Sequence, residues 1–291
     1  MTLLSRREMV ILGMAGVMSS ATSFAQTRQI TAGDVVDRIK ANLGKPWIST
    51  GYRDTFKIGD PQSPVRGICS TFGTNLRVMK LAQEAGLNMI ITHEPTFWSD
   101  ADVVDLVKND EIYKIKTEFA EQHGMVVWRI HDNWHAHIPD GIRLGFGTAI
   151  GWNGYKVPGP QADGFGRWDI PRTTLRQLAL YVAEVLDTRS VRVIGDPSLP
   201  VVKVGYGSHS LEGNMAPFRN VDCLIVSEAR EYDSFEYVRD AVDSGQSRGA
   251  IFISHTSGED EGMHEFARWL KPMISEVPVE YIPTTDEFWT V

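Results

Sequence analysis

The strongest constraint on this chain is an alternation: amphipathic helical segments take turns with short, continuous apolar runs. Thr31 to Leu43 carries apolar residues at helical spacing, with Thr31 placed to cap it and Asp34 three residues on. Val65 to Cys69 reads as a strand, Asn75 to Glu84 as a helix closed at Gly86, and Asn88 to Thr92 as a buried strand. Asp110 to Gln122 is helical and Met125 to Ile130 a strand. This β-α-β-α-β order predicts a parallel sheet with covering helices. From about Gly141 to Arg172 the chain turns Gly- and Pro-rich and reads as loops between lobes. The alternation then resumes: helix Thr174–Leu186, strands Val191–Ile194, Val201–Tyr206 and Cys223–Val226, helix Asp233–Asp243, strand Gly249–Ser254, helix Met263–Leu270 and strand Val277–Ile282. The expected fold is α/β, with two similar lobes of mostly parallel sheet at residues 26–155 and 156–291. With 42% hydrophobic residues the chain can fill such cores.

Three of the strands end in unusual clusters. Ile90-Ile91-Thr92 runs into His93-Glu94-Pro95, and Val126 to Ile130 into His131-Asp132-Asn133-Trp134-His135-Ala136-His137. Ile251 to Ser254 runs into His255, with Glu259 four residues on. Five of the eight histidines lie in these places, where side chains of neighbouring parallel strands converge on ligands. Pro95 cannot continue a ladder, so the strand stops at Glu94 and both His93 and Glu94 are free to face one site. A helical turn from His255 would put Glu259 on the same face, and the same spacing relates His131 to His135. Each cluster alone also fits a polar strand end, a solvent-facing loop or, for Glu259, a helix cap. Together they point to metal. The two cysteines, Cys69 and Cys223, each sit in an apolar run and are expected to be buried, so the ligands would be imidazoles and carboxylates. That donor set suits zinc, iron or manganese.

The N-terminus has the three parts of an export signal: Arg6-Arg7, the apolar stretch Met9 to Val17, and a small-residue end at Ser23-Phe24-Ala25. The arginine pair is twin-arginine-like. Residues 1–25 are therefore expected to be removed and the protein to act outside the cytoplasm, in the periplasm, with no membrane anchor left. A formal net charge of −8 argues against a nucleic-acid partner.

At the clustered residues the chain resembles the NIF-three-like family, dinuclear-metal proteins often labelled GTP cyclohydrolase type 2 homologues. Ile91-Thr92-His93-Glu94-Pro95 is similar to the family's Ile-Thr-His-His-Pro, with Glu94 at the second histidine. His131-Asp132-Asn133-Trp134-His135 is similar to its His-Thr-Asn-Leu-Asp, with His135 at the aspartate and Asp132 beside it as another candidate. His255 and Glu259 keep the spacing of its last signature, and Val193 to Pro197, Ser227-Glu228 and Asp286-Glu287-Phe288 match further segments. The resemblance implies a single family domain of two α/β lobes with the metal site between them at strand C-terminal ends, and a homohexamer. It also implies two divalent ions per chain held by His93, Glu94, His135, His255 and Glu259. One family histidine, on the helix after the Cys223 strand, is Asp233 here.

The expected activity is hydrolysis of a small molecule by metal-activated water, with Glu228 or His131 moving the proton. A metal-binding or metal-delivery hexamer without catalysis is the alternative. Phe97, Trp98 and Trp134 flank the clusters and are expected to pack the lobe or a subunit interface, with a pocket lining for an apolar or aromatic substrate as the other reading.

Overall fold

The computed structural model describes residues 29–157, 166–285 and Phe288. The expected signal at residues 1–25 and the Asp286-Glu287 pair lie outside them. Among the described residues no helix is long and apolar enough to cross a membrane.

The first five-stranded sheet has β1 (Phe56–Ile58), β2 (Ile68–Thr71), β3 (Met89–Thr92) and β4 (Val126–Arg129), and its edge is completed by β10 (Val279–Tyr281) from the end of the chain, in the order β1-β4-β3-β2-β10. All its pairings are parallel except β1 with β4. Successive residues of β3 serve opposite faces, as a pleat requires. Met89 and Ile91 pack with α1 (Ala32–Asn42), while Ile90 packs with Val78 and Met79 of α2 (Leu76–Glu84) and Ala120 of α3 (Glu111–Gln122). The Thr31–Asp34 capping box at the head of α1 forms as expected.

The second sheet contains β5 (Gly166–Thr174), β6 (Arg192–Ile194), β7 (Pro200–Tyr206), β8 (Cys223–Ser227) and β9 (Gly249–Ile253) in the order β5-β7-β8-β9-β6. Its centre is parallel and both edges are antiparallel. One face packs on α6 (Leu175–Val185), the other on α8 (Glu236–Asp243). Cys69 and Cys223 are both free and buried.

Four features depart from the expectation. The described part of residues 141–172 is not all loop: it holds α5 (Gly141–Ala149) and most of β5. Gly141, Gly145 and Gly147 in α5 serve close packing, and Gly151 just after it turns the chain at φ +72°. A Cβ on Gly145 would sit 2.4 Å from the backbone of Gly262 in α9 (His255–Leu270), so only glycine lets these helices touch. Pro171 is tolerated because β5 is an edge strand with a register shift between Asp169 and Thr173. Second, α9 begins at His255, not Met263, because Ser254 caps it by accepting from the Ser257 N–H. Third, α7 (Leu211–Arg219) lies between β7 and β8 where no helix was read; its Gly213 and Pro217 mask the pattern. Last, the described residues of the expected second lobe do not all stay with the second sheet. Met263, Phe266 and Leu270 of α9 pack on the first sheet, so the chain leaves α9 beside β2 and adds β10 there.

Candidate metal centre

β3, β4, β7, β8 and the head of α9 all end at one place. His93 follows β3 and is fully buried. His131 and His135 bracket α4 (Asp132–His135), a single turn after β4. That turn is too short to hold itself, and Asp54 caps it from outside, accepting the N–H groups of His131, Asp132 and Asn133 at 2.5, 3.1 and 2.8 Å. His209 follows β7 in the loop Gly207-Ser208-His209, and Glu228 follows β8. His255 and Glu259 share one face of the first turn of α9, as an i, i+4 pair. Gly258 lets that turn press onto the sheet, since a Cβ there would meet Ser227 Cβ and the Tyr206 hydroxyl at 2.5 Å.

All five of these imidazoles have Nδ1 engaged by an oxygen. The partners are the Ile130 carbonyl for His93 (3.0 Å), Asp132 for His131 (2.9 Å), Asp140 for His135 (3.1 Å), the Ser227 carbonyl for His209 (3.0 Å) and Glu228 for His255 (2.7 Å). A carbonyl oxygen only accepts, so His93 and His209 carry hydrogen on Nδ1 and, when neutral, present a bare lone pair on Nε2. These Nε2 atoms face Glu259: His93 and His255 lie 3.3 and 3.0 Å from Oε2, and His209 lies 3.3 Å from Oε1. Glu94 Oε1 stands 3.7 Å from Nε2 of both His131 and His255 and 3.9 Å from that of His93. His93 Nε2, His255 Nε2 and Glu259 Oε2 are buried without a hydrogen-bond partner. Acceptor facing acceptor in a buried place calls for a cation or a proton between them.

Three groups of ligand-type atoms are close enough to hold an ion: His93, His131 and His135; His209, His255 and Glu259; and His93, Glu94 and Glu259. Every residue expected to bind metal is therefore in the cluster. So is His131, which was expected to move protons. Asp132 is spent on Arg53 and on His131 Nδ1 and is not in any group. Asp233 turns to the Ser234 N–H and does not reach the cluster. His209 was missed by sequence reasoning. Its signal was the one used elsewhere, a histidine just past a strand end, but it stands alone, with no carboxylate or second histidine beside it.

Electrostatics divides the cluster. Burial, with His93 and His135 as neighbours, drives His131 far below the usual imidazole range. Burial opposes protonation of His255 and His209 as well, yet Glu259 overcomes it and raises both. Glu259 in turn, despite its burial, is held well below the carboxylate range by His255, His209 and His93. The hydrogen bond to His255 lowers Glu228. Above the cluster opens a cavity of about 460 Å³ lined by Glu94, Trp98, His131, His209, Glu228 and His255, among others. Phe97 and Trp134 are buried as expected, whereas Trp98 is 56% exposed at the cavity wall.

A family model described as Duf34/NIF3 (NGG1p interacting factor 3) matches residues 30–287. Among solved structures, Staphylococcus aureus protein SA1388 superposes with a TM-score of 0.70 at 18% identity, covering 90% of this chain and 99% of that one. A Bacillus cereus protein related to NIF3 gives 0.68 at 14% identity, over 91% and 100% of the two chains. TTHA1606 from Thermus thermophilus gives 0.64 at 16%, over 89% and 100%. At such identities the likeness carries the fold alone. No curated protein matches the chain.

Proposed function

The chain belongs to the Duf34/NIF3 family, and from that premise we propose that it is a dinuclear metal-dependent hydrolase of a small molecule. One observation carries the reading: five imidazoles have Nδ1 fixed by oxygen acceptors, and four of them, His93, His131, His209 and His255, bring Nε2 within 3.7 Å of Glu94 or Glu259, while His135 joins His93 and His131 in one group. This is how metal-ligating histidines are oriented, and the unpartnered Nε2 and carboxylate atoms fit a cation. His93, His131 and His135 would hold one divalent ion, and His209, His255 and Glu259 the other. Glu94, set between the groups, would bridge. Without thiolates the donor set favours zinc, iron or manganese. His131 is thus assigned to binding rather than to proton transfer.

Bound ions would supply Lewis-acid activation of water and polarisation of the bond to be cleaved. The protein's own groups do the rest. Glu228 lines the cavity, is ionised more readily than usual through its bond to His255, and is the group we assign to accept the proton. Its backbone sits at φ +51°, an unusual conformation for a glutamate, directly after β8. Arg129, fully buried, donates to the His93 carbonyl at 2.8 Å and so fixes the strand end that carries both His93 and Glu94.

A metal-storage or delivery protein is the competing reading, and the cavity over the cluster favours catalysis, which needs an accessible position. We also propose the homohexamer and the exported location; light scattering of the mature protein and N-terminal sequencing of a periplasmic fraction test them. The central test is elemental analysis of protein purified without affinity metal, followed by a screen of esters, amides and phosphoesters. About two transition-metal ions per chain with turnover abolished by chelation is the expected result. Absence of stoichiometric metal sinks the reading, and two ions with no turnover on any class returns it to the storage protein.

A further inference from the structure

The cavity walls say something about what the site takes. Trp98 is the one of the three flanking aromatics that is not buried, and its backbone lies at φ +60°, a conformation a bulky residue rarely adopts without cause. The loop that presents it is pinned. Asp102 accepts from the Thr96 and Phe97 N–H groups at 2.7 and 2.8 Å, and Lys116 Nζ sits 5.3 Å from the Trp98 ring centroid. Buried Lys116 also donates to the Thr96 carbonyl. An exposed indole is thereby held in a set position on the wall above the metal groups.

Two arginines line the same cavity, and they differ in what they are free to do. Arg53 is committed, with two bonds to Asp100 and one to Asp132. Arg230, next after Glu228-Ala229, is exposed; its guanidinium donates to the Tyr232 hydroxyl at 3.1 Å, and among the described residues it makes no ion pair. The cavity therefore offers one flat apolar platform, one cation with donors to spare, and a floor of histidine and carboxylate. A planar guanidinium matches a carboxylate in two parallel hydrogen bonds, and an indole face matches an aromatic ring.

We propose that the substrate is a planar aromatic molecule bearing a carboxylate, its ring on Trp98 and its anion on Arg230, with the bond to be cleaved over the His–Glu floor. The proposal rests on the two-metal reading and narrows it. The volume admits a molecule of one or two rings.

Calorimetric titration of the metal-loaded full chain tests it, with 2-naphthoate as probe and two controls, cyclohexanecarboxylate and 2-naphthylmethanol, lacking the ring and the charge respectively. Naphthoate is expected to bind about tenfold tighter than either control. Trp98→Ala should bring its affinity down to that of cyclohexanecarboxylate, and Arg230→Gln down to that of 2-naphthylmethanol, with metal content unchanged in both. Equal affinities across ligands, or across variants that keep their metal, overturn the substrate class and leave the metal reading standing. If Trp98→Ala breaks the assembly in light scattering while naphthoate affinity holds, Trp98 is an interface residue and the proposal falls. Absence of metal in the unmodified chain is a different failure, that of the two-metal reading itself.

Discussion

The two halves of the cluster are built on different principles. The half on the first sheet is all imidazole, set among buried charge. Arg129, Lys116 and Asp140 are each at most 4% exposed. The half on the second sheet joins two imidazoles to one buried carboxylate, and its outer support, Glu228, is 61% exposed at the side chain. The first half is a socket whose three rings are aimed from outside, by the Ile130 carbonyl, Asp132 and Asp140 at their Nδ1 atoms. The second is balanced internally, since Glu259 offsets the charge that its histidines attract. The difference suggests a division of labour: the first half positions, the second faces the cavity and the chemistry.

This division should break first at a second carboxylate, besides Glu94, that reaches across it. Glu259 belongs to the second group yet stands 3.3 Å from His93 of the first. Glu259→Gln removes the charge and leaves the size. We expect it to lower metal content from about two ions per chain to one or fewer, whereas His135→Ala should remove only one. Elemental analysis of both variants reads this directly. If Glu259→Gln keeps both ions, the halves are not joined through it.

Asp140 tests the socket. It accepts from His135 Nδ1, pairs with Arg143 at 3.1 Å and caps α5 through the Ile142 and Arg143 N–H groups. Asp140→Asn should weaken metal at the first half by roughly 10–100-fold, as loss of a ligand's supporting carboxylate does, and leave the second half loaded. Competition with a chromophoric chelator measures both. An equal loss at the two halves would mean that Asp140 acts through folding.

Buried charge on the first side has a second consequence. Burial lowers Lys116 to about 8. Between that value and its unfolded value the unfolded chain binds more protons than the folded one, so this group makes stability rise with pH from about 8 to about 10.5. Below pH 8 the full cost of burying the charge is present, on the order of 3 kcal/mol. Lys116→Met should flatten that slope in denaturant melts taken across pH 7–10. A slope unchanged in the variant would place the titration elsewhere.

These contrasts explain what could be read beforehand. His93-Glu94-Pro95 was legible because Pro95 ends the strand and two ligand types sit side by side. His255 and Glu259 were legible as a pair, but the helix that aligns them was not. Thr256-Ser257-Gly258 has low helix propensity, and only the Ser254 cap and the packing of Gly258 against Tyr206 show why it folds so. α5 was hidden for a related reason, since its glycines read as loop until α9 is seen lying against them. His209 needed the third dimension: one histidine past one strand end means nothing until β7 is placed beside β8. The Nδ1 partners were out of reach too, because Ile130 and Ser227 contribute main-chain oxygens that carry no sequence signal.

The smallest expected effect sharpens the comparison most, because it sets an exposed carboxylate against a buried one in the same role. Glu228 and Asp140 each hold a histidine Nδ1, at 2.7 and 3.1 Å. Distance alone would make Glu228 the stronger support. Exposure argues the other way, since water can replace a lost partner at the cavity wall and cannot at Asp140. Glu228→Gln keeps an oxygen able to accept from His255, so it should cost metal affinity less than about tenfold, below the loss at Asp140→Asn. The same variant cannot take up a proton at its side chain, so turnover on whichever substrate class responds should fall more than metal affinity does. Metal affinity falling in step with turnover would make Glu228 a support like Asp140 and erase the division between the halves. Turnover falling alone would place the proton transfer on the second half.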